Sequence, residues 1–132
     1  MNNELLNRQD FKKSVFYRDN YKCVICGKSA VDAHHIIDRN LWNNGGYYLD
    51  NGVSLCSKCH YDAELTLISC EELRNSANIH NIILPHDFTE NIYDKWGNVI
   101  INEHSRIKGR LFYSEQFQKI MKKANLYYLF NN

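Results

Sequence analysis

Two C-x-x-C pairs, Cys23-Val24-Ile25-Cys26 and Cys56-Ser57-Lys58-Cys59, are the residues of this chain whose types and spacing imply chemistry most directly. Two cysteines separated by two residues can turn about one ion, and two such pairs complete the tetrahedron of a structural zinc site. His34-His35 and Asn51 lie between the pairs, and His60 follows the last cysteine directly. Four thiolates already fill the tetrahedron, so any histidine ligands serve another ion. A divalent ion held by one or two imidazoles keeps positions open for water and phosphate oxygens, and it can stabilise the charge that develops when a phosphodiester is cut. A neighbouring histidine off the ion can take the proton of the attacking water, because imidazole titrates near neutral pH. His34-His35 offers both jobs. Strand alternation sends these side chains to opposite faces, so the arrangement needs a twist, a bulge, or an ion and phosphate lying between the faces. The amide of Asn51 suits a clamp of loop backbone on the strand, which fixes a base without moving protons.

The elements that must position these residues are short. Phe11 and Val15 recur at helical spacing between Asn7 and Tyr17, which predicts an amphipathic helix packed on the zinc module with Lys12 and Lys13 outside. Cys26-Gly27-Lys28-Ser29 reads as a knuckle, with Gly27 at positive φ. Residues 30–37 read as a strand, Asn43-Asn44-Gly45-Gly46 as a turn, and Lys58–Leu65 as a helix carrying His60 in its first turn. Ser69 and Glu72 fit a capping box for a helix to about Ser76. Pro85 sits in a stretch without periodicity, Tyr93–Asn98 reads as a turn, and Val99–Ile101 as a strand. The last helix spans Ser114 to about Leu126, with Phe117, Ile120, Met121 and Ala124 on one side. The expected fold is a small α+β domain of two strands and a helix around metal, with flanking helices and a C-terminal accessory segment.

Composition bounds the function. A chain of 132 residues with 44% hydrophobic and 23% charged residues is one ordinary globular unit with a modest core. No apolar run spans a membrane and the N-terminus lacks the order of a signal peptide, so an intracellular, cytoplasmic setting is expected. Four paired cysteines of five fit zinc in a reducing compartment, and Cys70 reads as a small buried residue. The net charge of +1 hides an uneven distribution: residues 1–30 carry six basic and three acidic side chains, residues 100–132 six and two, and the middle four and ten. Two positive ends can hold a phosphate backbone while the acidic middle holds cations.

The ordered set Cys23-x-x-Cys26, Asp32-Ala33-His34-His35-Ile36, Asn51-Gly52-Val53-Ser54-Leu55-Cys56 and Cys56-x-x-Cys59-His60 resembles the HNH nucleases of the ββα-metal (His-Me finger) class that carry four zinc cysteines, over roughly residues 17–65. Members include phage, restriction and homing enzymes, and a phage or bacterial type is expected here. The resemblance implies His35 as general base, His34 at a metal position often held by aspartate, His60 as the last metal ligand and Asn51 as the loop-orienting residue. It implies a DNA phosphodiester hydrolase with structural Zn²⁺ and catalytic Mg²⁺, Mn²⁺ or Ni²⁺. The long insertion between His35 and Asn51, with Trp42 and Gly45-Gly46, departs from the shortest members and suggests a substrate loop.

Residues 1–76 are expected to form the nuclease core and residues 77–132 an accessory region. There Arg106, Lys108 and Arg110 alternate, so an extended segment would put them on one edge facing phosphates beside Lys12 and Lys13. Asp32, Asp62 and Glu64 read first as ordinary surface carboxylates, with reach to a metal or its waters as the alternative; His80, His86 and His104 read as incidental; and Trp42, Trp96 and the tyrosines read as core packing, with stacking on bases as the alternative. Duplex DNA is the expected partner. One centre cuts one strand, so a double-strand break takes two copies, as in a homodimer, or two successive events. The alternative is a non-catalytic zinc module that binds nucleic acid or protein. The histidines argue for the enzyme, and the active-site residues admit RNA as well as DNA.

Overall fold

The computed structural model describes residues 4–130. Helix α1 (Arg8–Arg18) starts where the Asn7 side chain accepts the Asp10 backbone N–H at 2.8 Å, and it buries Phe11 and Val15. These two side chains rest on Gly52, where an added Cβ would come within 2.6 Å of both, so the helix approaches the sheet this closely only over glycine. The end of the helix is tied down as well. Arg18 donates to the carbonyls of Leu49 and Gly52, and Asp19 accepts the Ser54 N–H.

Strands β1 (Asp32–His35) and β2 (Gly52–Leu55) pair antiparallel, with His34 opposite Val53 and His35 opposite Gly52. Sequence pattern predicts a strand over 30–37, but regular pairing stops at His35. Ile36 and Ile37 continue beyond it into the core, both fully buried, held by the backbone and side chain of Asn51. Asp38 then accepts the Asn40 N–H and opens a single 3-10 turn, Arg39–Leu41. Helix α2 (Ser57–Glu64) follows β2 directly, capped by the sulfur of Cys56, and α3 (Cys70–Ser76) is capped by Ser69 as its sequence predicts. Gly27 has φ +79°, the left-handed conformation that the knuckle requires.

The C-terminal half adds β3 (Val99–Asn102), β4 (Ser105–Ile107) and α4 (Glu115–Ala124). The first two form a hairpin. Phe117 and Met121 of α4 are buried with Trp96, Phe112, Leu126, Leu129 and Phe130 in a second apolar cluster beside the one that surrounds β1, β2, α2 and α3. The two are joined through Leu111, which packs on both. The turn of residues 93–98 is buried rather than superficial, because the fully buried Asp94 carboxylate accepts the N–H groups of Trp96 and Asn98. It presses Lys95 and Trp96 onto the end of α2.

The expected single edge of cations does not form. Arg106 turns inward, its side chain only 12% exposed, to Thr66 at 2.5 Å and Asp94 at 3.3 Å. Lys108 lies over Phe112 at 4.8 Å and Arg110 over Phe88 at 5.2 Å. A buried carboxylate draws one cation in, while aromatic faces hold the other two. Among the described residues no helix is long and apolar enough to cross a membrane.

Cys70 is 1% exposed, its thiol donates to the Ile36 carbonyl at 3.2 Å, and burial pushes its pKa up to about 12. It should therefore resist iodoacetamide in the folded, zinc-loaded protein and react only on unfolding, as intact-mass measurement would report. Native labelling of Cys70 would contradict this burial.

Candidate active site and its metal positions

Two sites meet at the β1–β2–α2 unit. In the first, the sulfurs of Cys23, Cys26, Cys56 and Cys59 all lie within 4.8 Å of one another, with Cys26 and Cys56 at 3.5 Å. A zinc tetrahedron with bonds of about 2.3 Å has edges of about 3.8 Å, so the spacing fits one ion. Three of the thiols are buried and none is in a disulfide. The four cysteines are thus positioned as a zinc site, as their spacing predicts.

The second site shares α2 with the first, through His60 and Glu64. Donor atoms of His34, His60 and Glu64 come within 4.8 Å of one another. His34 is 2% exposed, and its Nε2 is fully buried without a hydrogen-bond partner. Such an orphaned nitrogen is costly unless something binds it, and a cation is the partner that fits an imidazole lone pair beside a carboxylate. His60 is held from both sides, with Nδ1 at 2.9 Å from Asp32 Oδ2 and Nε2 at 3.3 Å from Glu64 Oε1. If Nδ1–H donates to Asp32, Nε2 is the nitrogen left for an ion, with the carboxylate fixing ring and tautomer. Sequence reasoning reads Asp32 and Glu64 as ordinary surface carboxylates, and the structure corrects that. The signals were present: Glu64 is four residues after His60 on one helix face, and Asp32 is two before His34 on one strand face. Asp62 does stay outside, paired with Lys58 at 2.8 Å.

The charges at this site are set by their neighbours. Burial raises the Glu64 carboxyl, but the hydrogen bond from His60 and the Lys95 ammonium outweigh it and bring its pKa down to about 2. The hydrogen bond to Glu64 is the largest influence on His60, and with Asp32 it holds this imidazole above its ordinary value against the pull of burial. Burial is the main cause that drives His34 well below the usual histidine range, aided by the charge of Lys95. Lys95 itself donates to both Glu64 oxygens at 2.8 and 2.9 Å and reaches Asp38 at 3.1 Å. No local pattern marks Lys95 as part of this site, because it arrives from thirty-one residues beyond Glu64.

His35 leaves β1 on the opposite face, as strand alternation requires. Its ring stacks on Phe11 at 4.8 Å and meets Tyr47 edge-on at 4.8 Å. The Nε2 lies 3.0 Å from the Gly45 carbonyl. A carbonyl only accepts, so Nε2 carries the hydrogen and Nδ1 keeps its lone pair. Burial lowers the pKa of His35 to about 4, leaving it neutral at pH 7. Asn51, 1% exposed, donates to the carbonyls of Ile37 and Gly46 and accepts the Ile37 N–H. It therefore clamps the Gly45-Gly46 turn, whose carbonyl aligns His35. Trp42 supports the same turn from below, donating to Ile37 O and leaving no room for a Cβ at Gly46. The insertion is thus packed scaffold around His35.

Despite their opposite faces, His34 and His35 line one cavity of about 180 Å³, together with Ala33, Asp38, Arg39, His60 and Lys95. One histidine from each face of β1 thus lines the same cavity. Of the cations expected at DNA, Lys12 lines an adjoining cavity that also contains His35, whereas Lys13 faces a groove with Tyr17 and Tyr21. Lys108 and Arg110 line a separate cavity with Phe88 and Tyr93.

A two-stranded sheet followed by a helix, closed by four cysteines and carrying histidines on strand and helix, defines a ββα-metal core within a small α+β protein. Residues 23–64 match the family model described as HNH endonuclease, and the likeness of that segment points to a nuclease-type function. No curated protein and no solved structure matches the chain.

Proposed function

We propose that this protein is a metal-dependent endonuclease that hydrolyses phosphodiester bonds of duplex DNA, with His35 as general base and His34, His60 and Glu64 as ligands of a divalent ion. The observation that carries this reading is the buried, unpartnered Nε2 of His34 beside His60 and Glu64, in a cavity that also contains His35. A Mg²⁺, Mn²⁺ or Ni²⁺ ion held by His34, His60 and Glu64 would supply Lewis-acid stabilisation of the charge that develops in phosphodiester hydrolysis. Asp32 orients His60, and Lys95 keeps the Glu64 carboxylate ionised and aimed. His35 Nδ1 takes a proton from water as the water oxygen bonds to phosphorus and a P–O ester bond breaks, with the bonding pair leaving on the ester oxygen, which takes up a proton from solvent. Asn51 and Gly45 fix the ring for that transfer without exchanging protons themselves.

The division into a nuclease core, residues 1–76, and an accessory region, 77–132, belongs to the same proposal, with the accessory region contributing Lys95 to the core. Lys12, Lys13, Lys108 and Arg110 are proposed as backbone contacts, whereas Arg106 is paired with Asp94. Reduced zinc thiolates suit an intracellular setting. One catalytic cavity per chain nicks one strand, so cutting both takes a homodimer or two visits.

The test is cleavage of supercoiled plasmid by zinc-loaded protein across Mg²⁺, Mn²⁺ and Ni²⁺, with His34→Ala and His60→Ala variants. Open circles that depend on the ion and on both histidines are expected. Equal DNA binding with and without the ion, and no cutting, would instead favour a zinc-stabilised binding module.

Loading of the second site should depend on pH with a definite sign. The proton held on His60 must leave before Nε2 can bind an ion, and its pKa is raised above 6.5. Below that raised pKa, Mn²⁺ affinity should fall about tenfold per pH unit as one proton competes; above it the affinity should level off. Calorimetric titration between pH 8 and pH 6 reads this directly. A flat profile would exclude His60 as a ligand.

A further inference from the structure

The His34–His35 cavity is the middle of three. On one side lies a cavity of about 240 Å³ that includes Arg8, Lys12 and Tyr47, and on the other lies one of about 380 Å³ that includes Trp96, Gln116 and Lys119. Arg39 is the residue that lines all three. It is exposed, and no ion pair or hydrogen bond engages its guanidinium among the described residues. The nearby acids are otherwise committed: Asp32 to His60, and Asp38 and Glu64 to Lys95. Arg8 and Lys12 at one end are exposed cations, and Lys119 at the other makes only a 3.6 Å surface pair with Glu115. The trough is therefore acidic where an ion would sit and cationic along its length.

We propose that one DNA strand lies along this trough from Arg8 and Lys12 to Lys119, with Arg39 gripping the phosphate next to the one presented to His35. The inference rests on the proposed nuclease function and adds the strand's path and a positioning residue for the substrate. Arg39 suits the task chemically, since a planar fork of donors engages two phosphate oxygens at once. It suits the task structurally, since the Asp38-capped turn anchors its backbone directly after β1, close to both histidines. Arg39 lies within the matched HNH segment, but Lys119 lies far outside it, so the path joins the core to the C-terminal helix.

The test reads binding without cleavage. Full-length, zinc-loaded protein carrying His35→Ala is titrated into a fluorescent 20-base-pair duplex across a salt series, with no further divalent ion added. Adding Arg39→Ala should weaken binding about tenfold and reduce the slope of log K against log salt by about one. Arg39→Lys should keep the slope but recover only part of the affinity, because charge is retained and the fork is lost. Lys122→Ala, an exposed cation outside the trough, should leave more affinity than Arg39→Ala. An unchanged slope in Arg39→Ala, or an equal loss in Lys122→Ala, would overturn the proposal. The nuclease reading is judged separately by plasmid nicking: a protein that nicks with an unchanged Arg39→Ala slope keeps its activity and loses this path. One that never nicks but shows the slope change keeps the path and loses the activity.

Discussion

Replacing His35 by alanine should lower plasmid nicking by roughly 10²- to 10⁴-fold, the usual contribution of a positioned general base, while leaving metal affinity within about twofold. The two readouts separate because His35 faces Phe11 and Tyr47 whereas His34, His60 and Glu64 face each other. The base is prepared by burial, which holds its pKa near 4. It is mostly neutral a pH unit or more above that, so loss of rate between pH 7 and pH 5 should come mainly from protonation of His60 rather than of His35. Calorimetry on the variant, run beside the nicking assay, distinguishes a missing base from a missing ion. Nicking that survives the substitution would remove His35 from the chemistry. Loss of ion binding together with loss of nicking would show that its role is structural.

Removing the zinc should have the largest effect on the fold. The β1–β2 pair has only four residues in each strand, and α2 has eight. Secondary structure this short is not stable alone in water. The four sulfurs tie the knuckle before β1 to the cap of α2, and structural zinc in small domains contributes on the order of 10–16 kcal/mol. That matches or exceeds the whole stability of a typical domain, about 5–15 kcal/mol. Chelation, or Cys56→Ala, should therefore abolish the near-ultraviolet circular dichroism of the core and expose Cys70 to alkylation, with recovery on adding zinc only in the chelated protein. A chelated protein that keeps its dichroism and still shields Cys70 would show that apolar packing alone carries the fold.

These two expectations draw on different levels of information. The cysteine pairs, the double histidine, Asn51 and His60 are legible because a metal needs particular atoms at short, fixed spacings, and such spacing is written directly in the chain. The helices around Phe11–Val15 and Phe117–Met121 are legible for a similar reason, since each buries one face at period 3.6. The caps of α1, α3 and α4, which are Asn7, Ser69 and Ser114, satisfy orphaned N–H groups within three residues. Glu64 and Asp32 stand between the two levels: their spacing to His60 and His34 is local, but a lone carboxylate is ordinary on a surface, and only the packed hairpin and helix turn both toward one point.

What the tertiary structure alone decided is which distant side chains share a charge environment. Lys95 reaches Glu64 across thirty-one residues, and Arg106 leaves its expected place beside Lys108 and Arg110 for Asp94 and Thr66. No periodicity encodes either pairing, because a cation goes wherever folding leaves a carboxylate out of water. The same holds for His34 and His35. The sequence by itself determined that they point to opposite faces of a strand, and only the packing of Asp38, Arg39, His60 and Lys95 around them decided that both line one cavity.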